Sequence, residues 1–169
     1  MALIVDAILE NEQTTLLSLD IGDCGLSDAG AAHVSRLLEA NNTITDLNLA
    51  ANQMTRKGWR EIADALKKNG KLRTLSLDYN KITDEDVAVI ADGLRHSTTL
   101  RSVDLEANRI RDEGGRILLD VVKENEKLID VTLMPMNQID ASILTQIKDI
   151  LDDRIRSRPG SANSEVPTT

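Results

Sequence analysis

One short pattern of apolar and polar residues recurs along the chain. In Leu72-Arg73-Thr74-Leu75-Ser76-Leu77-Asp78-Tyr79-Asn80-Lys81-Ile82 it reads apolar-x-x-apolar-x-apolar-x-x-Asn-x-apolar. The alternation at Leu75 and Leu77 predicts a short strand with one buried face, and Asn80 falls where that strand must turn. The same phrase stands at residues 16–26, 44–54 and 100–110, and a fifth opens at Leu128. Its first apolar positions are 16, 44, 72, 100 and 128, a constant period of 28 residues. A fixed period of roughly 20–50 residues marks a solenoid, in which each unit buries its apolar face on its neighbours.

A helical pattern follows each phrase. After Leu26 come Ser27, Asp28, Ala29 and Gly30, then apolar Ala32, Val34, Leu37 and Leu38. After Ile82 come Thr83, Asp84, Glu85 and Asp86, then Val87, Ile90, Ala91 and Leu94. Ser27 and Thr83 are the expected N-caps, with acids in the first turn where the helix dipole favours them. The units end in polar loop sequences such as Ala40-Asn41-Asn42 and Glu124-Asn125. Small residues such as Ala63, Ala65 and Ala91 let the layers approach closely.

The two ends differ from the middle. Leu3, Ile4, Ala7 and Ile8 have helical spacing and predict a capping helix within residues 1–13. The fifth unit places Asn137 one residue late, and Pro135 suits an edge strand. Residues 141–155 are amphipathic through Ile143, Leu144, Ile147, Ile150, Leu151 and Ile155, and are expected to seal the stack. The expected division is therefore a cap in 1–13, five units with a terminal helix in 14–155, and a disordered tail in 156–169.

The unit resembles the ribonuclease-inhibitor class of leucine-rich repeat. That class has a strand, a turn carrying Asn or Cys, and a helix opened by Asp-x-Gly-Ala. Asp28-Ala29-Gly30-Ala31 matches in full, and Asp112-Glu113-Gly114-Gly115 matches in all but the last residue. Gly58 keeps the glycine, whereas Asp84-Glu85-Asp86 loses it. The resemblance covers about residues 14–155. It implies an α/β fold, a leucine-rich repeat solenoid forming a short right-handed arc. Parallel strands would line the concave face and helices the convex face. Five strands at ~4.8 Å spacing give a concave face roughly 20 Å wide.

Composition narrows the partner. There is no Phe, one Trp (Trp59) and one Tyr (Tyr79), so the core must be aliphatic. The net charge of −8 offers no basic footprint for nucleic acid or an anionic membrane, and favours a protein with a basic surface. The single Cys24 excludes an internal disulfide and a Cys-based zinc site, and fits a reducing compartment. The first ten residues carry Asp6 and Glu10 and no basic region, unlike a signal sequence. No apolar run approaches the ~20 residues of a membrane helix. The expected location is cytoplasmic.

The positions that alternate with the buried leucines would form the binding face. The candidate residues are Asp20, Asp23, Asp46, Asn48, Arg73, Ser76, Asp78, Tyr79, Arg101, Asp104, Glu106 and Asp130. Seven are acidic and two basic, a net of −5 on one small surface. Like charges on adjacent strands repel, which argues for a basic partner over a merely solvated face. Tyr79 is the expected anchor, since interface hot spots are rich in Tyr; the alternative is a ring that covers the repeat edge.

Other constellations are absorbed by the repeat. Asn52, Asn80 and Asn108 form a structural column, with Cys24 as a buried substitute in the first slot. Trp59 is expected to pack on the convex side, with a second contact site as the alternative. Lys67, Lys68, Lys71, Arg95, Lys123 and Lys127 sit near helix C-termini, where the dipole explains them. The stretch from Asp78 to Asp84 imitates a calcium loop, but Ile82 takes a ligand slot, Thr83 replaces the glycine and Val89 replaces the bidentate acid. His33 and His96 have no nucleophile beside them in the pattern. Hence no metal, cofactor, small-molecule substrate or catalysis is expected. The principal reading is a non-catalytic adaptor. The alternative is a structural component of a cytoskeletal or axonemal (ciliary or flagellar) assembly, because tropomodulin's actin-capping domain is similar in having about five such repeats and a terminal helix. A small-GTPase regulator ranks behind both.

Overall fold

The computed structural model describes residues 1–11 and 15–157. Most of the expected tail, from residue 158 onward, lies outside the described residues. The elements alternate as the period requires: α1 (Ala2–Glu10), β1 (Ser18–Asp20), α2 (Asp28–Ala40), β2 (Asp46–Asn48), α3 (Arg56–Lys68), β3 (Thr74–Ser76), α4 (Asp84–His96), β4 (Ser102–Asp104), α5 (Asp112–Glu124), β5 (Asp130–Thr132) and α6 (Ala141–Arg156). The strands form one parallel sheet in sequence order. Register advances by one repeat at each step, so Ser18, Asp46, Thr74, Ser102 and Asp130 lie side by side.

The core is a set of aliphatic ladders between sheet and helices. Leu47, Leu75, Val103 and Val131 are one ladder, and Leu49, Leu77, Leu105 and Leu133 are the next. Val34, Ile62, Ile90 and Leu118 meet them from α2 to α5. Trp59 is 1% exposed and belongs to this core, which removes it as a convex contact. The helices pack so closely that a Cβ on Gly93 of α4 would lie 2.6 Å from the Ala63 carbonyl oxygen of α3.

Polar ladders hold the repeats in phase. Asn80 Nδ2 donates to Leu49 O and Leu77 O at 3.0 Å each, and its Oδ1 accepts from Asn52 N at 2.9 Å. Asn52 and Asn108 repeat this pattern one unit to either side. The late Asn137 keeps the role, with Nδ2 donating to Leu105 O and Leu133 O and Oδ1 accepting from Ile110 N. From the second repeat onward, a buried amide in each turn thus serves groups of two repeats.

Cys24 departs from expectation, because it is exposed. The Asn side chains reach back to the preceding strand, and no described strand precedes β1, so the Cys24 thiol donates only to the nearby Gly22 O. Ser27 also differs, making no side-chain capping bond. Capping acts between repeats instead. Asp28 accepts from Thr55 N, Thr55 Oγ1 and Gly58 N at the start of α3, while Asp84 and Asp112 accept from Arg111 N and Asp140 N in the same way. These bonds, the Thr55 side chain's first, hold the Asp28 carboxyl below its ordinary value.

A second ladder runs along the helix C-termini. Asn41, Asn69 and Asn125 accept from the backbone N–H groups that follow them, and Asn69 and Asn125 donate to Leu38 O and Leu94 O of the preceding repeat. The sequence carries this signal as Asn at 41, 69 and 125 in a period of 28, with Ser97 filling the remaining slot.

Candidate functional site

Two rows of side chains emerge from the strands, between the buried central residues. Asp46 and Asp130 stand in the row Ser18, Asp46, Thr74, Ser102 and Asp130. Asp20, Asn48, Ser76 and Asp104 stand side by side in the other row. Several of these groups already hold local structure. Asp20, Asn48 and Asp104 accept through Oδ1 from the N–H two residues on, at 2.9, 2.8 and 2.9 Å. These Asx turns start the loops that leave the strands. Asp46 Oδ2 accepts from Thr45 Oγ1 at 2.6 Å, and Asp130 Oδ2 from Ser102 Oγ at 2.7 Å.

Asp78 lies where the face is most crowded with acid. Burial pushes its carboxyl above its ordinary value, its own backbone N–H opposes the shift, and the charge of Asp104 adds to it. Glu106 occupies the position one repeat further on from Asp78. The candidate acids Asp20, Asp23, Asp78, Asp104 and Glu106 therefore gather toward the C-terminal ends of the strands.

Arg73 and Arg101 lie at the opposite rim. They line a groove of about 460 Å³ with Leu17, Thr45 and Lys71. Five residues of extended chain, roughly 16 Å, separate the positions of Arg73 and Asp78. The predicted face thus divides into an acidic rim and a basic rim. The helix-end cations behave differently again, because Lys67 pairs with Asp64 and Asp92, Lys68 with Glu39, and Arg95 with Glu124. They tie neighbouring helices together.

Asp23 and Tyr79 sit in the loops beyond the strands. With Ala51, Ala107 and Met136 they fill equivalent slots whose φ is positive, between 49° and 78°. The backbone is pinned there by bonds such as Tyr79 N to Glu106 O and Ala107 N to Pro135 O. The side chains project outward, and Tyr79 is 57% and Met136 66% exposed. Met136 is the counterpart of Tyr79 in the fifth unit, hidden from sequence reading by the extra residue before Asn137.

The terminal unit carries another feature absent from the expected face. A groove of about 370 Å³ separates β5 from α6 and is lined by Val131, Leu133, Met134, Leu144, Leu151 and Ile155, among others. Among the described residues no group of three or more His, Cys, Asp or Glu side chains could hold a metal ion, and no helix is long and apolar enough to cross a membrane.

A family model described as Leucine Rich repeat matches residues 12–34, 40–63, 68–91 and 96–118. Among solved structures, Leiomodin-1 Actin-Binding Site 2 superposes with a TM-score of 0.79 at 18% identity, covering 90% of this chain and 87% of that one. The tropomodulin C-terminal domain from a Caenorhabditis elegans structural-genomics study superposes with a TM-score of 0.77 at 14% identity, covering 92% and 93%. No curated protein matches the chain by sequence.

Proposed function

The chain belongs to the leucine-rich repeat family, and from that premise we propose that it is a non-catalytic scaffold that binds a partner protein on its acidic concave face. The observation that carries this reading is the environment of Asp78. Burial and the charge of Asp104 both work against its ionised form. Such a carboxylate lowers folding stability at neutral pH. A Lys or Arg side chain from a partner relieves the repulsion and makes a charge-assisted hydrogen bond. Tyr79, beside it in sequence, supplies an exposed aromatic for apolar contact.

Affinity capture followed by mass spectrometry tests this. A protein retained by the wild type and released by added salt should be lost from the Asp78→Asn, Asp104→Asn, Tyr79→Ala triple variant. Retention unchanged in the triple variant would move the binding site elsewhere.

A cytoskeletal setting is the second reading. It is supported by the likeness to an actin-binding site of leiomodin and to a tropomodulin domain across nine-tenths of the chain. Actin is the first partner to test, by co-sedimentation with filaments, and a chain left wholly in the supernatant would remove it.

A further inference from the structure

The sheet ends at β5, and its register decides which backbone groups the end leaves unserved. In β4, Asp104 O accepts from Leu77 N on one side at 2.8 Å, and the following Leu105 N donates to Thr132 O of β5 at 2.9 Å. Successive residues thus serve opposite neighbours. One repeat on, Thr132 faces β4. Val131 and Leu133, the counterparts of Val103 and Leu105, direct their N–H groups to where a further strand would lie. That place is the groove between β5 and α6, where Leu144, Leu151 and Ile155 form an apolar wall. Asp130, Lys148 and Asp152 also line it, and Arg156 Nη2 stands 3.9 Å from Asp152 Oδ2, which leaves Asp130, among the described residues, as the acid without a cation beside it in the lining.

We propose that this groove receives an extended basic segment of a partner protein, added to the sheet as a sixth strand. The backbone commits the occupant to an extended form. Donors two residues apart on a strand edge are met by another strand, whereas a helix has already used its own backbone groups. The wall commits alternate side chains to be apolar, because successive residues of a strand point to opposite faces. Asp130 in the lining, in a chain of net charge −8, sets the remaining side chains as basic. Asp130 is shared with the concave-face candidates, but the edge amides and the apolar wall lie apart from the acidic rim, so the proposal does not depend on the concave-face reading.

The test uses the whole chain, ¹⁵N-labelled, and the synthetic peptide Lys-Val-Lys-Val-Lys-Val. On saturation, amide exchange at Val131 and Leu133 should slow at least about tenfold, with Leu105 unchanged. Two further peptides carry N-methyl groups on the valines or on the lysines. Only the set of amides that faces β5 matters, so one of them should lose about tenfold or more in affinity and the other stay within about twofold. Equal loss in both, or in neither, overturns the strand geometry. Shifts on α6 without slowed exchange at Val131 and Leu133 identify a non-strand occupant and overturn it too. If both amides are already protected without peptide, and lose protection on dilution or on deletion of residues 158–169, the occupant is a second copy or the chain's own tail. The Asp78→Asn, Asp104→Asn, Tyr79→Ala variant should bind the peptide as the wild type does. If it does not, the peptide is reading the concave acids instead.

Discussion

Asp28 Oδ1 lies 2.6 Å from the point where a Cβ on Gly58 would stand, and it accepts a hydrogen bond from the Gly58 N–H at 3.1 Å. The acid of one repeat caps the next helix, and the glycine leaves room for it. Asp84 and Gly114 show the same 2.6 Å approach. Gly58→Ala should therefore lower stability by about 1–3 kcal/mol through overpacking, although alanine is the better helix former by about 1 kcal/mol. Asp28→Ala with Gly58→Ala should cost less than the sum of the two single changes. Urea unfolding of all four proteins measures the coupling, and strict additivity would refute the account.

Between α3 and α4 both partners of this pair change. Arg56 replaces the acid and Asp86 replaces the glycine, with Arg56 Nε 3.6 Å from Asp86 Oδ1. Thr83 N donates to Asp86 Oδ2 at 3.0 Å, so α4 carries its own cap. Arg56→Asp alone sets an acid against Asp86 and should destabilise by about 1 kcal/mol. Adding Asp86→Gly recreates the Asp–Gly pairing and should recover most of that loss in thermal unfolding. No recovery in the double variant would show that the two positions are not coupled.

The Asn ladder predicts a contrast between two slots of one column. Asn80→Ala orphans the buried Asn52 N and takes one of two Asn donors from Leu49 O and from Leu77 O, which keep Asn52 Nδ2 and Asn108 Nδ2. At about 1–3 kcal/mol for the orphaned donor and about 0.5–1.5 kcal/mol for each further bond lost, the loss should be at least about 2 kcal/mol. Cys24→Ala touches an exposed thiol with one local bond and should stay within about 0.5 kcal/mol. Denaturant midpoints compare the two directly, and equal losses would mean that position in the column does not matter.

The strands and helices were legible because the leucine phrase has a period of 28 residues and a buried face that alternates along each strand. Inter-repeat roles were harder to read. Ser27 has the look of a cap for α2 yet makes no capping bond, whereas Asp28 beside it reaches the start of α3, a role that depends on how two units stack rather than on either one. Cys24 misled for the same reason, since an Asn slot is buried only when a strand precedes it. On the candidate face, the acids were visible, but their separation from Arg73 and Arg101 follows from which end of each strand carries them. Met136 and the groove beside β5 escaped because one inserted residue shifts the last unit out of phase.

Asp78 gives a pH-dependent prediction. Its folded-state pKa is raised from the ordinary 3.8 by burial first and Asp104 second, so the folded chain holds this proton more tightly than the unfolded one. Stability falls as pH rises from near 3.8 through the folded-state pKa, and the penalty is complete above it. Asp78→Asn removes the penalty. It should raise the urea midpoint at pH 7 and leave it unchanged at pH 3, where both states carry the protonated acid. A gain of equal size at both values would remove charge as the cause.

Tyr79 separates an anchor from a cover. It holds φ at +57°, a region that costs an ordinary L-residue about 1–2 kcal/mol and that Asn tolerates better. Its ring is more than half exposed, so little burial is lost when it is removed. Tyr79→Asn should therefore raise stability by about 0.5–1 kcal/mol and at the same time weaken capture of the partner. A ring whose task was to cover the repeat edge would give the opposite pair of results, with stability falling and capture preserved. Measuring both on one variant decides between the two roles, because strain at the backbone and contact at the side chain move the readouts in different directions.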